Sequence, residues 1–237
     1  MLLKLFIFFI FVLLYFHIYH CFKINPNNDV QYIDNIALNK SQLDREILYK
    51  LPFYFQNNLI NDDINEVFAK SIKKERASKD NGYITQYDKT YKKIKILEPN
   101  ILFDTKNYIY EFSKEKSKLN LHENLSFRNF YIVNSGIANI KLIHPSYRDL
   151  FIVDGKVNTN KKSIDFMNKN DNFISLELHK DSILYVPNYW LVYIETKEHS
   201  ETNKLIIEKI EYIPLVNKLN YLFNNVINNQ LTNNKND

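Results

Sequence analysis

Apolar residues gather in three short runs over Phe173 to Glu195, FISLELHKDSILYVPNYWLVYIE, divided by two turns, and the first of them, ISLEL, alternates with a period of two. Successive side chains of a strand point to opposite faces, so this stretch predicts three strands. A charged turn at His179-Lys180-Asp181 separates the first two, and a proline-led turn after Val186 precedes the aromatic third. The same period runs in part through Leu125 to Val133 and resumes over Ile137 to Ile143. With the turn Asn134-Ser135-Gly136 between them, these segments predict a β-hairpin, ended by His144-Pro145-Ser146. Tyr147 to Asn172 is a polar excursion, and Lys204 to Tyr212 (KLIIEKIEY) is a further alternating strand. At Pro214 the period changes. Pro214 suits the first position of a helix, with Leu215, Leu219, Leu222, Phe223 and Val226 on one stripe.

Upstream, Leu2 to Phe22 is an almost unbroken apolar run with Lys4 near its start. A bilayer crossing needs roughly 20 residues, so the run suits a signal anchor. A cleaved signal peptide would need a small-x-small site, which Tyr15, His17, Tyr19, His20 and Cys21 mark poorly. Lys4 and Lys23 flank the run, so charge sets its orientation weakly, and the default places the body outside the cytosol. Residues 23–57 read as a linker and lead-in to the domain. Asn61 to Lys79 reads as a helix with Ile64, Val67, Phe68 and Ile72 on one face. Pro99 to Phe112 fits a strand or a short helix. The organisation expected is therefore an anchor or signal peptide at 1–22, a β domain with a helical N-terminal part at 58–213, a C-terminal helix at 214–231 and a polar tail at 232–237. Short antiparallel strands closed by a helix imply a barrel or jelly roll.

Composition removes several alternatives. Gly82, Gly136 and Gly155 are the only glycines, which excludes a glycine-rich phosphate loop and marks each as a candidate turn. The net charge of +4 is spread along the chain, with pairs such as Lys92-Lys93 and Lys161-Lys162 but no basic patch, so nucleic acid is not an expected partner. A single cysteine, Cys21, excludes an internal disulfide and a cysteine-based zinc site. Asn39-Lys40-Ser41 and Asn124-Leu125-Ser126 are glycosylation sequons, relevant only to a non-cytosolic body.

The blocks Glu123 to Pro145 and Asp181 to Glu195 resemble the JmjC, or cupin-like, branch of the iron- and 2-oxoglutarate-dependent hydroxylases. Asn129, Gly136 and Pro145 match the first family block, and Asp181, Leu184, Tyr185, Val186, Pro187, Tyr189 and Trp190 match the second. The resemblance covers about Leu121 to Tyr212. It implies a mainly β fold, a double-stranded β-helix (jelly-roll, cupin-like) barrel with flanking helices, preceded by the N-terminal hydrophobic helix. Aligned on Gly136, the family's iron ligands fall on Glu123, Leu125 and Val192, and the lysine that pairs with the cosubstrate carboxylate falls on Ala138. A one-residue slip offers His122 and Asn124 instead, still with Val192 and Ala138.

A facial triad of two imidazoles and a carboxylate is therefore not assembled in either register. The expectation is a degenerate member that binds neither Fe(II) nor 2-oxoglutarate and serves as a structural or protein-interaction module. Asn129, Tyr131, Tyr189 and Trp190 are candidate pocket-lining residues. The alternatives are an oxygenase with a rearranged site and a metal-free barrel for a small molecule or carbohydrate. Membrane attachment through Leu2 to Phe22, a protein partner and a homodimer through the C-terminal helix are the associations expected, and secretion after cleavage is the alternative localisation.

Overall fold

The structure, a computed structural model, describes residues 2–34, 39–56, 82–87, 96–100, 103–112, 118–153, 156–157, 173–196 and 205–214. The helices expected at Asn61 to Lys79 and beyond Pro214 lie outside these residues. Helix α1 (Leu2–Phe22) is followed by strand β1 (Gln31–Tyr32), helix α2 (Lys40–Leu48), and strands β2 (Phe53–Gln56) and β3 (Gly82–Tyr87). Then come β4 (Phe103–Phe112), β5 (Lys118–Glu123), β6 (Arg128–Ser135) and β7 (Ala138–Ile143). A 3₁₀ turn (Pro145–Leu150) leads to the short pair β8 (Ile152–Val153) and β9 (Lys156–Val157). The chain returns through β10 (Ile174–Leu178), β11 (Ser182–Val186), β12 (Leu191–Thr196) and β13 (Leu205–Pro214).

Strands β4 to β7 run out and β10 to β13 run back as one long antiparallel ribbon. β7 pairs with β10, β6 with β11, β5 with β12 and β4 with β13. The ribbon winds so that successive pairs alternate between two sheets, ordered β1-β2-β11-β6-β13-β4-β3 and β10-β7-β12-β5. This is a double-stranded β-helix, the cupin-like jelly roll expected. The open segment 99–112 resolves to β4, whose ten residues all pair with β13.

The predicted hairpin of β6 and β7 does not form, because the two strands lie in different sheets. Gly136 supplies the reason. Its φ of +83° turns the chain across the barrel corner, and a Cβ there would stand 3.0 Å from the Leu205 backbone. Gly82 marks no turn; it is the first residue of β3. Pro214 is the last residue of β13, opposite Phe103.

Three apolar layers follow from strand alternation. Between the sheets pack Val133, Ile140, Leu184, Trp190, Val192 and Ile207, among others. The outer face of the seven-stranded sheet is covered by Leu43 and Ile47 of α2. The outer face of the four-stranded sheet carries Leu121, Leu191 and Tyr193 against Phe151 and Phe173. Residues 31–56, expected as lead-in, thus supply two strands and a core helix. Asn39 caps α2 by accepting a hydrogen bond from Gln42 N, and Asp44 meets buried Arg128 at 2.8 Å, fixing the helix to β6.

The described side chains of α1 are almost uniformly exposed, its large apolar ones from Leu14 at 36% to Leu13 at 67%. Counting only described residues, to which α1 contributes side chains at 4–16 and 19, no helix is long and apolar enough to cross a membrane.

Candidate functional site

One end of the barrel, here called the mouth, is where β5, β7 and β11 finish and β6 and β12 begin. Leu191 pairs there with Glu123 and Ile143, and Val186 with Asn129. Several inward positions near the mouth are polar. His122 stands opposite Val192 across the β5–β12 ladder. Its Nδ1 lies 3.1 Å from Asn120 O and its Nε2 lies 2.8 Å from the Tyr131 hydroxyl. That hydroxyl is also 2.7 Å from the Asn124 amide. On β13, Lys209 Nζ sits 2.7 Å from Glu211 Oε1 and 5.4 Å from the Tyr131 ring centre. Ser126 Oγ donates to Glu211 Oε2 at 3.1 Å. Asn129 donates to the carbonyls of Ser126 and Val186.

Burial lowers the His122 pKa to about 3, with the Lys209 charge adding to the effect and the Asn120 carbonyl opposing it. The imidazole is therefore neutral. With Nδ1–H donating to Asn120 O, Nε2 accepts the single phenol proton of Tyr131. The Asn124 amide then satisfies the hydroxyl by turning its NH₂ toward the Tyr131 oxygen, an orientation chosen by proton count. Whichever way that amide turns, one of its buried polar atoms has no partner. Burial raises the Tyr131 pKa far above its usual value, with Tyr110 and Glu211 reinforcing it, so the phenol keeps its proton. Burial lowers the Lys209 pKa while Glu211 pulls it back up. The cluster is a mutually paired set: a neutral imidazole, a neutral phenol and an internally compensated ion pair.

The residues read as degenerate ligands do not converge. Glu123 points outward, where its carboxylate takes two hydrogen bonds from Arg148 at 2.6 and 3.3 Å. Leu125 is 62% exposed. Only Val192 and Ala138 face the interior, both fully buried. The inward pair on β5 and its continuation is His122 and Asn124, which is the one-residue slip. The aligned register fails because alternation from buried, outward Leu121 puts every second residue outside. Of the expected lining residues, Asn129 and Tyr131 belong to the cluster. Trp190 is packed in the core against His144, ring centres 5.0 Å apart. Tyr189 occupies the mouth turn at φ 68°, its N–H donating to Asn124 O.

Sequence reading missed Lys209 and Glu211. Their signal was a strand, KLIIEKIEY, whose inward positions change from apolar to charged partway along. His122, neutral Asn124 and Val192 supply one nitrogen, one amide and no third donor, so these residues do not fit a facial triad. Among the described residues no three His, Cys, Asp or Glu side chains group to hold a metal ion.

No family model matches the chain, and no curated protein matches its sequence. Among solved structures, it is similar to Lactobacillus farciminis oxalate decarboxylase in its formate complex (TM-score 0.37, 12% identity, covering 60% of this chain and 31% of that one). It is also similar to a Bacillus subtilis oxalate decarboxylase variant (TM-score 0.35, 14% identity, covering 59% and 28%). A third is Drosophila melanogaster CENP-C bound to CAL1 (TM-score 0.36, 8% identity, covering 59% and 75%). The chain thus spans about a third of the length of the decarboxylases it is similar to.

Proposed function

We propose that the chain is a membrane-anchored domain whose barrel serves as a structural or protein-interaction module, a degenerate relative of the JmjC, cupin-like hydroxylases without catalytic iron. The observation that carries this reading is the pairing inside the mouth. His122 spends both ring nitrogens on Tyr131 and Asn120, Lys209 is held by Glu211, and the third inward position is Val192. The test is titration of the purified full chain with Fe(II) or Mn(II), followed by 2-oxoglutarate turnover. The expected result is neither stoichiometric binding nor turnover; both together would overturn the reading and favour the rearranged oxygenase.

A second reading, a metal-free barrel for a small molecule, is favoured by the amide atom of Asn124 turned away from Tyr131 and by Asn129 Oδ1. Both atoms are buried at the mouth without a hydrogen-bond partner, a state that a bound polar molecule or a water would relieve. Native mass spectrometry of the full chain in mild detergent separates the two, since only this reading expects a copurifying ligand.

Membrane attachment is supported by α1. A helix apolar on every face has no side to turn to water, and its 21 residues rise roughly 31 Å, against a hydrocarbon core of roughly 30 Å. Retention of α1 is read by sequencing the mature N-terminus; a start beyond Phe22 would mean secretion after cleavage. A non-cytosolic body makes a selective prediction. Asn39 is exposed and its Oδ1 is the capping atom, whereas Asn124 is fully buried. Expression in a glycosylating host should therefore add one glycan, lost in Asn39→Gln, and none at Asn124 of the folded chain. A chain without glycan would place the body in the cytosol.

A further inference from the structure

We infer that the mouth of the barrel is seated on the membrane surface through the exposed side chains Ile24, Leu48, Tyr49, Leu125 and Leu150. This rests on the membrane anchoring proposed above. The segment after α1 is not a free tether. Asn25 donates from Nδ2 to Tyr49 O at 2.6 Å, and its carbonyl accepts from His144 Nε2 at 2.8 Å. His144 Nδ1 accepts from Ser146 N–H, which leaves Nε2 as the donor. Gln31 N–H and Ile33 N–H then bond to Pro52 O and Tyr54 O, and β1 joins the main sheet. Docking thus begins three residues after Phe22, a span of at most about 11 Å.

That short reach fixes which end of the barrel meets the bilayer. His144 follows Ile143, which pairs with Leu191 at the mouth. The six-residue strand β7 places the Lys180 turn, next to Leu178, roughly 20 Å away at the far end. Around Asn25, large apolar side chains face solvent: Ile24 at 44%, Leu48 at 52%, Tyr49 at 55% and Leu150 at 57%. Leu150 closes the 3₁₀ turn that begins beside His144, and that turn is tied by Arg148 to Glu123, two residues from Leu125. Apolar side chains with a tyrosine among them, held within an anchor's reach, match the composition of the lipid interface. The occupant is the lipid surface.

The test uses the full chain with Cys21→Ser as background, carrying a fluorophore on Tyr49→Cys, Leu150→Cys, Leu125→Cys or Lys180→Cys. All four positions are exposed. The protein is reconstituted in phosphatidylcholine vesicles containing a headgroup-nitroxide lipid, and flotation after an alkaline wash reports anchoring. The expected result is quenching at 49, 125 and 150 at least about twofold stronger than at 180, because seated side chains enter about 5–10 Å of the headgroup boundary. Equal quenching at all positions in chains that still float would overturn the seating and leave the anchor intact. Loss of flotation would overturn the anchor, and the seating with it.

Discussion

The two halves of the barrel interior share strands and alternation, yet solve burial in opposite ways. Toward the far end the inward residues are Val133, Ala138, Ile140, Ile194, Leu205 and Ile207, all apolar. Toward the mouth, beside Val186, Trp190 and Val192, they are His122, Asn124, Asn129, Tyr131, Lys209 and Glu211. Apolar packing requires shape alone, so the far half tolerates volume-conserving change. Polar groups away from water require partners at fixed directions, and removing one strands the other. A barrel selected for stability alone would have no need of the second arrangement. The mouth therefore carries a burial cost that the far half avoids.

The comparison breaks most visibly on β13, where Ile207 and Lys209 are neighbours on the same inward face. Lys209→Ala leaves Glu211 without its ion-pair partner in a largely buried site and should cost about 3–5 kcal/mol. Ile207→Val should cost about 0.5–1.5 kcal/mol. Urea denaturation of the detergent-solubilised chain measures both. Lys209→Met combined with Glu211→Leu should recover much of the loss, since replacing both partners removes the stranded charge. Equal costs for the Lys209 and Ile207 variants would show that the mouth is as forgiving as the far half.

Tyr131→Phe comes next. It removes the hydroxyl between His122 and Asn124 while keeping the ring, and should cost about 1–3 kcal/mol through the two groups left unpaired. Acidification probes the same cluster. His122 has its folded pKa depressed to about 3, against about 6.5 when unfolded. Below pH 6.5 the unfolded chain binds a proton that the folded chain refuses. The stability His122 contributes is therefore full above about pH 6.5 and is lost as pH falls toward 3, with a slope of at most about 1.4 kcal/mol per pH unit. His122→Gln should flatten that part of the stability profile relative to the parent. Parallel profiles would mean that His122 titrates alike in both states.

The difference between the halves also explains what could be read from sequence. Apolar runs divided by turns over Phe173 to Glu195 located β10, β11 and β12: β10 alternates, whereas β11 is buried along its whole length and reads as a continuous run. Partner choice was not legible. β6 and β7 look like a hairpin until Gly136, at positive φ and pressed on Leu205, sends them into separate sheets. At the site, Val192 and Ala138 are buried among apolar framework residues. Glu123 and Leu125 were misplaced because a one-residue slip inverts every side chain, and Gly136 lies too far along the chain to fix the register of β5. Lys209 and Glu211 passed unnoticed since their only signal, the change from apolar to charged along one face of KLIIEKIEY, also fits a strand that runs out into solvent.

Glu123 gives the smallest effect and the cleanest check on that register. Its carboxylate lies outside the barrel, bonded to an Arg148 side chain that is 40% exposed. The pairing raises the Arg148 pKa, through the hydrogen bond first and the charge second. A partly solvated pair of this kind contributes about 0–1 kcal/mol and weakens as salt rises. Glu123→Gln keeps the shape and should cost no more than about 1 kcal/mol, with the difference shrinking at high ionic strength. If Glu123 pointed into the mouth, as alignment on Gly136 implies, the same change would disturb Lys209 and His122. It would then cost several times more, and salt would scarcely alter it. A large, salt-insensitive loss would reverse the assignment of inner and outer faces on β5, and with it the identification of His122 and Asn124 as the inward pair.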